Sequence, residues 1–372
     1  MSDSKRRTRR SARTGRRDFL RLPMMAGVLG GLSALSAAVP PDVIDEDDPN
    51  NIKIGHILGS NTSDEFLLFC QQIGLRWARL EYNDGPDVDT IRGIQQRFGK
   101  YGVRLYAVTH SSYRSQRIQL GEPGRDEDIE TYRTFLRSMG TLGIPVATYD
   151  FHPGNTYTTD MVERRGYRTR EFNLQDFRTK VEKQRFGRVY TAEDIWANYT
   201  YFVKAVLPLA EEMGVKMALH PDDPPVAMMN GVAKLFINYD GYKRAEEIAA
   251  GSPAWGIRLC IGTWSEGGDQ MGKSVIEMIR DFGGRGKVYD IDFRNVSGPL
   301  PHFVETFPDE GYVDMYQVMK ALREVGYSGG LTPDHLPNLV GDESNSRQRR
   351  AGLAYCIAYN KALLRRANEE VA

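Results

Sequence analysis

Four residues of types that bind divalent cations, His220, Cys260, Asp292 and Asp334, each stand at or just beyond the end of a short apolar run. Imidazole nitrogen, thiolate sulfur and carboxylate oxygen can together hold one divalent ion. Carboxylate and imidazole suit manganese or iron(II), while thiolate tilts the choice toward iron, cobalt or zinc. Further candidates sit beside them: Tyr149, Asp150 and His152 close another apolar run, Asp222 and Asp223 follow His220, Arg294 follows Asp292, and His335 follows Asp334. Imidazole titrates near neutrality and suits proton transfer, and a guanidinium can clamp a carboxylate with two parallel hydrogen bonds. Each candidate also has a plainer reading. His220 alone could be a core histidine, Cys260 a small buried apolar residue, Asp222-Asp223 a turn with local caps, and Asp334-His335 a loop-capping pair. Four such residues at consecutive strand ends bring the metal reading level with the plain one.

The elements that must position these residues follow a repeating pattern. Apolar, β-branched runs predict strands over 52–58, 75–82, 103–109, 145–151, 215–220, 257–261, 287–293 and 329–333. Amphipathic stretches predict helices over 65–73, 87–98, 127–142, 192–213, 241–250, 273–282, 313–325 and 347–368. A long polar insertion over 153–191 separates the fourth strand from its helix. Eight strand–helix units predict an α/β fold, a single (β/α)8 TIM barrel, over 52–372. In that architecture the ends of strands four to eight share one rim, which is where barrel enzymes place their chemistry. The rival, a doubly wound open sheet, is weakened in its nucleotide-binding form because no Gly-x-Gly-x-x-Gly turn follows the first strand.

Composition is that of a folded soluble chain: 41% hydrophobic and 26% charged residues exclude a disordered or collagen-like protein. Basic and acidic residues balance at 49 each, but the balance is uneven along the chain. Nine basic residues lie within 1–21 against only Asp3 and Asp18, so the remainder is mildly acidic and offers no basic surface for nucleic acid. Arg16-Arg17-Asp18-Phe19-Leu20 and the Gly/Ala-rich apolar run after it predict a twin-arginine signal peptide over 1–39. That predicts export in folded form to the periplasm, with no stable membrane anchor once the signal is removed. The acidic stretch 40–51 predicts a solvated linker. Three scattered cysteines do not make a disulfide framework.

The segment Met217-Ala218-Leu219-His220-Pro221-Asp222-Asp223-Pro224-Pro225 resembles the most distinctive stretch of the mannonate dehydratase family. The resemblance runs from about 198 to 363, through Leu259-Cys260-Ile261-Gly262-Thr263, Phe293-Arg294-Asn295 and Thr332-Pro333-Asp334-His335. It implies a metal-dependent, xylose-isomerase-like barrel that dehydrates D-mannonate to 2-keto-3-deoxy-D-gluconate, usually with manganese or another divalent ion. Carried over residue by residue, it implies metal ligands at His220, Cys260, Asp292 and Asp334, with His335 as a catalytic residue. Arg294 then serves catalysis and substrate binding, and Asp222 and Tyr149 are further candidates for the substrate. The chain departs from the family in two places. Asp292 replaces an imidazole ligand, and 342–347 lacks the Tyr that the family carries there. The helical hairpin that the family has after strand four is shortened into 153–191.

Dehydration of a sugar acid calls for such residues. A proton α to a carboxylate is weakly acidic, a cation steadies the charge left by its removal, and an acid must protonate the departing hydroxyl. His335 is expected to transfer protons rather than bind metal, because neighbouring side chains of a strand point to opposite sides. One divalent ion, Mn2+ or Fe2+, is the expected cofactor. The expected partners are a small sugar acid and the twin-arginine export machinery, and a homo-oligomer is allowed. The alternatives are a metal-dependent sugar isomerase or epimerase on the same barrel, or a non-catalytic sugar-acid-binding relative.

Overall fold

Each of the eight apolar runs forms a strand, and together they close into a parallel barrel. The computed structural model of the chain describes residues 44–154, 158–342 and 347–371, so the signal predicted over 1–39 lies outside the described residues. The first four strands are β1 (Lys53–Gly59), β2 (Trp77–Tyr82), β3 (Arg104–His110) and β4 (Val146–Tyr149). After β4 come β5 (Asp160–Arg164) and β6 (Tyr167–Asn173), then β7 (Lys216–Leu219), and the short β8 (Met228–Met229) and β9 (Val232–Ala233). Next are β10 (Trp255–Cys260), β11 (Val288–Asp292), β12 (Asn295–Val296), β13 (His302–Thr306) and β14 (Gly330–Thr332). The barrel order is β1-β14-β11-β10-β7-β4-β3-β2, with β1 also pairing β2 to close the ring. Helices pack outside it. Their starts follow sequence signals: Asp87 caps Val88–Gly99, and Thr191 with Asp194 makes a capping box on Ala192–Glu212. The helix Met315–Glu324 buries Met315, Val318, Met319 and Leu322, the spacing of a single inward stripe. Burying such side chains contributes roughly 1.5–3 kcal/mol each.

The barrel interior is layered. At the floor, the ring of Tyr106 reaches across the barrel to a glycine of β14, and the ring of Tyr289 lies over a glycine of the neighbouring β10. A Cβ on Gly330 would come within 1.8 Å of the Tyr106 ring, and one on Gly256 within 2.4 Å of the Tyr289 ring. Above this floor the inward positions are polar. Arg258 and Cys260 of β10 lie in register with Asp290 and Asp292 of β11, and Asp292 in turn lies opposite Thr332 of β14. Period-two alternation puts Arg258, Cys260, Asp290 and Asp292 on one inward surface.

Three expectations need revision. Part of the stretch read as a solvated linker is folded onto the barrel. Glu46 is buried against Lys361 at 2.8 Å, and Asp47 reaches Arg76 at 2.9 Å and also Arg104. Opposite charges on the adjoining elements draw the acids in, so the body starts at Ile44 rather than near Ile52. The insertion 153–191 holds a β-hairpin, β5–β6, where the resemblance implied a shortened helical one. The hairpin joins β13 and β12 in an antiparallel sheet of order β12-β13-β6-β5. This sheet has a small core of its own, in which Phe172 stacks on Phe303 with ring centroids 5.5 Å apart. Finally, β10 runs straight into a helix, Ile261–Gly267, whose N-cap is Cys260. No helix among the described residues is long and apolar enough to cross a membrane.

Candidate active site

The ends of β7, β10 and β11 bring His220, Cys260 and Asp292 together, with one ligand atom from each lying within 4.8 Å of the others. Atoms bound about 2.0–2.3 Å from one ion cannot be separated by much more than this. Each donor is prepared for a cation. His220 Nδ1 lies 2.6 Å from the Pro221 carbonyl, which can only accept, so Nδ1 carries the proton and the Nε2 lone pair is free. Nε2 faces Asp292 Oδ2 at 3.3 Å, a separation that either a proton on Nε2 or a cation held by both groups satisfies. Cys260 Sγ accepts from the Thr263 backbone N–H at 3.4 Å and the Thr263 hydroxyl at 3.2 Å. Burial pushes its thiol up to about 12, against the pull of Arg294. A bound divalent cation reverses that preference, because a coordinating thiol gives up its proton.

Asp292 is held in an unusual way for a metal ligand. Arg79 Nη1 reaches its Oδ1 at 2.9 Å and Asp290 Oδ2 at 2.6 Å, and Arg258 Nε reaches Asp292 Oδ2 at 2.6 Å. Burial opposes its ionisation, but Arg258 and Arg79 outweigh burial and keep the carboxyl well below its usual range. Burial keeps the carboxyl of neighbouring Asp290 raised instead. The carboxylate that replaces an imidazole at this position is thus matched by two guanidiniums. Neither arginine was singled out from sequence, although each is a charge inside an otherwise apolar strand, two residues from another inward polar side chain.

The fourth expected ligand stands outside the compact group. The Asp334 carboxylate lies 3.5 Å from Arg294 Nε and 3.4 Å from His335 Nε2, and these cations hold it beside the triad. His335 shares the cavity with Asp334 although the two are neighbours in sequence. Its φ of +51° turns the backbone out of the strand pattern, so the alternation expected of a strand does not hold here. Its Nδ1 meets Glu305 Oε1 at 2.6 Å, a contact from β13 that nothing in the sequence announced. Burial would lower the pKa of His335, but Asp334 and Glu305 outweigh it and raise it.

Three assignments to the substrate are corrected. Arg294 is 2% exposed and does not line the cavity; its Nη2 reaches Asp223 at 2.5 Å and its Nη1 reaches Glu266 at 2.6 Å, while Nε lies 3.5 Å from Asp334 without a hydrogen bond. It positions these carboxylates from behind the cavity wall. Asp222 is fully buried, accepts the backbone N–H groups of Leu235 at 2.8 Å and Phe236 at 2.7 Å, and holds His152 through Nδ1. Tyr149 points outward into the helical layer, where its hydroxyl lies 3.2 Å from that of Tyr199. Asp150 and His152 do reach the cavity. Asp150 accepts from Tyr113 and Arg114, each at 2.7 Å.

The cavity, about 330 Å³, is lined by His220, Asp334 and His335 together with Asp150, His152, Asp223 and Arg258. Cys260 and Asp292 lie beneath its wall, both fully buried. Two imidazoles, His152 and His335, therefore share one small chamber with the exposed edge of the triad. Each is oriented by a carboxylate, Asp222 and Glu305 respectively.

Comparison with known proteins bears on family and fold. The family model for D-mannonate dehydratase matches residues 169–370. Mannonate dehydratase 2 of Halalkalibacterium halodurans is 31% identical over 282 residues, which cover 68% of this chain and 80% of that protein. The crystal structure of mannonate dehydratase from Streptococcus suis superposes with a TM-score of 0.78 at 26% identity, covering 87% of this chain and 96% of that one. A xylose isomerase domain protein from Planctomyces limnophilus, 12% identical with a TM-score of 0.58 over 86% of this chain and 99% of that one, shares the fold. With a family model over more than half its length, this barrel belongs to the D-mannonate dehydratase family of metal-dependent hydro-lyases.

Proposed function

We propose that the chain dehydrates D-mannonate or a closely related sugar acid to a 2-keto-3-deoxy acid. The observation that carries this reading is the His220–Cys260–Asp292 group, whose His220 lines the same chamber as His335. The residues fit a divalent ion: a fixed histidine tautomer with a free lone pair, a sulfur with two donors upon it, and a carboxylate kept ionised by arginines. Manganese or iron(II) suits this mixed donor set, and Asp334 lines the same cavity as His220. When bound, the ion supplies Lewis-acid stabilisation for charge that collects on the substrate carboxylate as C2 loses its proton.

The protein's own groups do the proton work. His335, held by Glu305, and His152, held by Asp222, can divide the roles of C2 base and acid for the departing C3 hydroxyl. His152 thereby fills the place left by the Tyr missing from 342–347. Arg294 keeps Asp223 and Asp334 ionised and in place. The test is to purify the protein, measure its metal content, and follow 2-keto-3-deoxy acid formation from D-mannonate. Bound metal with no such product from any aldonate would leave only the isomerase or binding-protein readings. Delivery to the periplasm by the twin-arginine route belongs to the same proposal and rests on Arg16-Arg17 and the apolar run after them.

A further inference from the structure

Among the described residues, the wall of the cavity carries more positive charge than its acids absorb. Arg168 and Arg170, both on β6, and Arg349, just before the last helix, line the same chamber as His220 and His335. The acids that line it are already committed. Glu81 pairs with Arg347, Asp150 with Arg114, Asp223 with Arg294, Glu305 with His335, and Asp334 with Arg294 and His335. Nearby Asp342 accepts the backbone N–H groups of Arg350 and Gly352 at 2.6 and 3.1 Å. Glu163, which faces Arg168 across the β5–β6 ladder, makes no ion pair with it. Arg168, Arg170 and Arg349 have no carboxylate partner among the described residues. Burial and the neighbouring charge of Arg170 hold the pKa of Arg349 below the usual arginine value, against Asp342 and Glu305. Arg168 is exposed and the other two half-buried, so they sit toward the open end, with the triad at the closed end.

Unneutralised guanidiniums in a concave site attract and orient anions, and their planar forks match carboxylate and phosphate oxygens two at a time. D-mannonate has one anionic group, which the proposed chemistry places at the triad. From the three arginines at the opposite end we infer that the preferred substrate carries a second anionic group, a carboxylate or a phosphate, at the end remote from the reacting carbons. This rests on the dehydratase reading of the site and adds a substrate class to it.

The experiment compares D-mannonate with its C6-oxidised diacid, D-mannarate, and with 6-phospho-D-mannonate. Both kcat/KM and calorimetric binding are measured, for the wild type and for the Arg168→Gln/Arg170→Gln variant, after circular dichroism has shown that the variant is folded. At least one dianion should exceed D-mannonate by tenfold or more in kcat/KM, and the double variant should cut that ratio at least tenfold. Which dianion gains more tells carboxylate from phosphate. Equal use of D-mannonate and both dianions, or a preference that survives the double substitution, overturns the second-anion site and leaves the dehydratase reading standing. If no acid is dehydrated but a dianion still binds tenfold more tightly to the wild type than to the variant, the subsite stands and the dehydratase reading falls. If neither dianion binds, the subsite is overturned.

Discussion

Restoring the family's imidazole by Asp292→His should harm this protein. Arg258 Nε lies 2.6 Å from Asp292, and the next carboxylate, Asp290, is 3.8 Å away. Arg79 keeps Asp290 at 2.6 Å after the change, so Arg258 is the charge left stranded. Breaking a buried ion pair from one side costs about 3–5 kcal/mol, and partial rescue by Asp290 points to the low end, about 3 kcal/mol. At roughly 2 °C per kcal/mol for a domain of this size, the melting temperature should fall by about 6 °C. Denaturant unfolding should show the same loss in midpoint at unchanged slope. Adding Arg258→Leu to Asp292→His should recover part of it, because the uncompensated charge is then gone. Metal content should not rise above the wild-type value despite the added nitrogen ligand. An Asp292→His protein that melts with the wild type, or an Arg258→Leu change that adds its own full penalty, would show that the guanidiniums do not compensate this carboxylate.

Other perturbations bear on different groups. His335→Asn should keep the metal and lower kcat by on the order of a hundredfold, as expected for lost proton transfer; loss of the ion in elemental analysis would make His335 a ligand instead. His56, buried beside the cavity, has its pKa lowered by burial to about 4. The unfolded imidazole protonates near pH 6.5, so between these values the unfolded chain binds more protons and stability falls as pH drops. That single group accounts for a loss of up to about 3 kcal/mol by pH 4. His56→Gln should flatten that part of the pH–stability curve, and an unchanged slope would assign the acid sensitivity to other groups. Arg16→Lys/Arg17→Lys should leave precursor in the cytoplasm, readable by fractionation; undiminished periplasmic delivery would remove the twin-arginine reading.

Much of this architecture was legible in the sequence because barrel strands are short, apolar and regularly spaced. All eight runs became strands, and most of the helices after them began at Asp, Ser, Thr or Asn caps that can be read directly, as at Asp87 and Thr191, while Arg125–Thr141 starts at Gly124 with no side-chain cap. His220, Cys260 and Asp292 could be grouped because each ends a strand and strand ends share a rim. What could not be read was which atoms a side chain had left to offer. Arg294 looks like a ligand clamp until it is seen buried behind the cavity wall, with Asp223 and Glu266 on its two terminal nitrogens. Tyr149 closes its strand pointing outward, which one residue of register decides. Glu305 and the β5–β6 hairpin come from polar loops whose pairing is long-range, and no local pattern places them.

The sheet β12-β13-β6-β5 is packed on its own cluster of Phe172, Phe177, Val226, Met229, Val296 and Phe303, apart from the main barrel core. The triad belongs to the barrel, and Arg168 and Arg170 belong to this annex. On the second-anion proposal, reactivity and substrate choice are therefore carried by different sheets, which Tyr167 of β6 ties together through the main core. Drift in the annex can retune what enters without a compensating change in the barrel staves. A graft of 158–173 between relatives should carry ligand preference with it. On that proposal, the ligand end can change while the buried charges around Asp292 stay fixed.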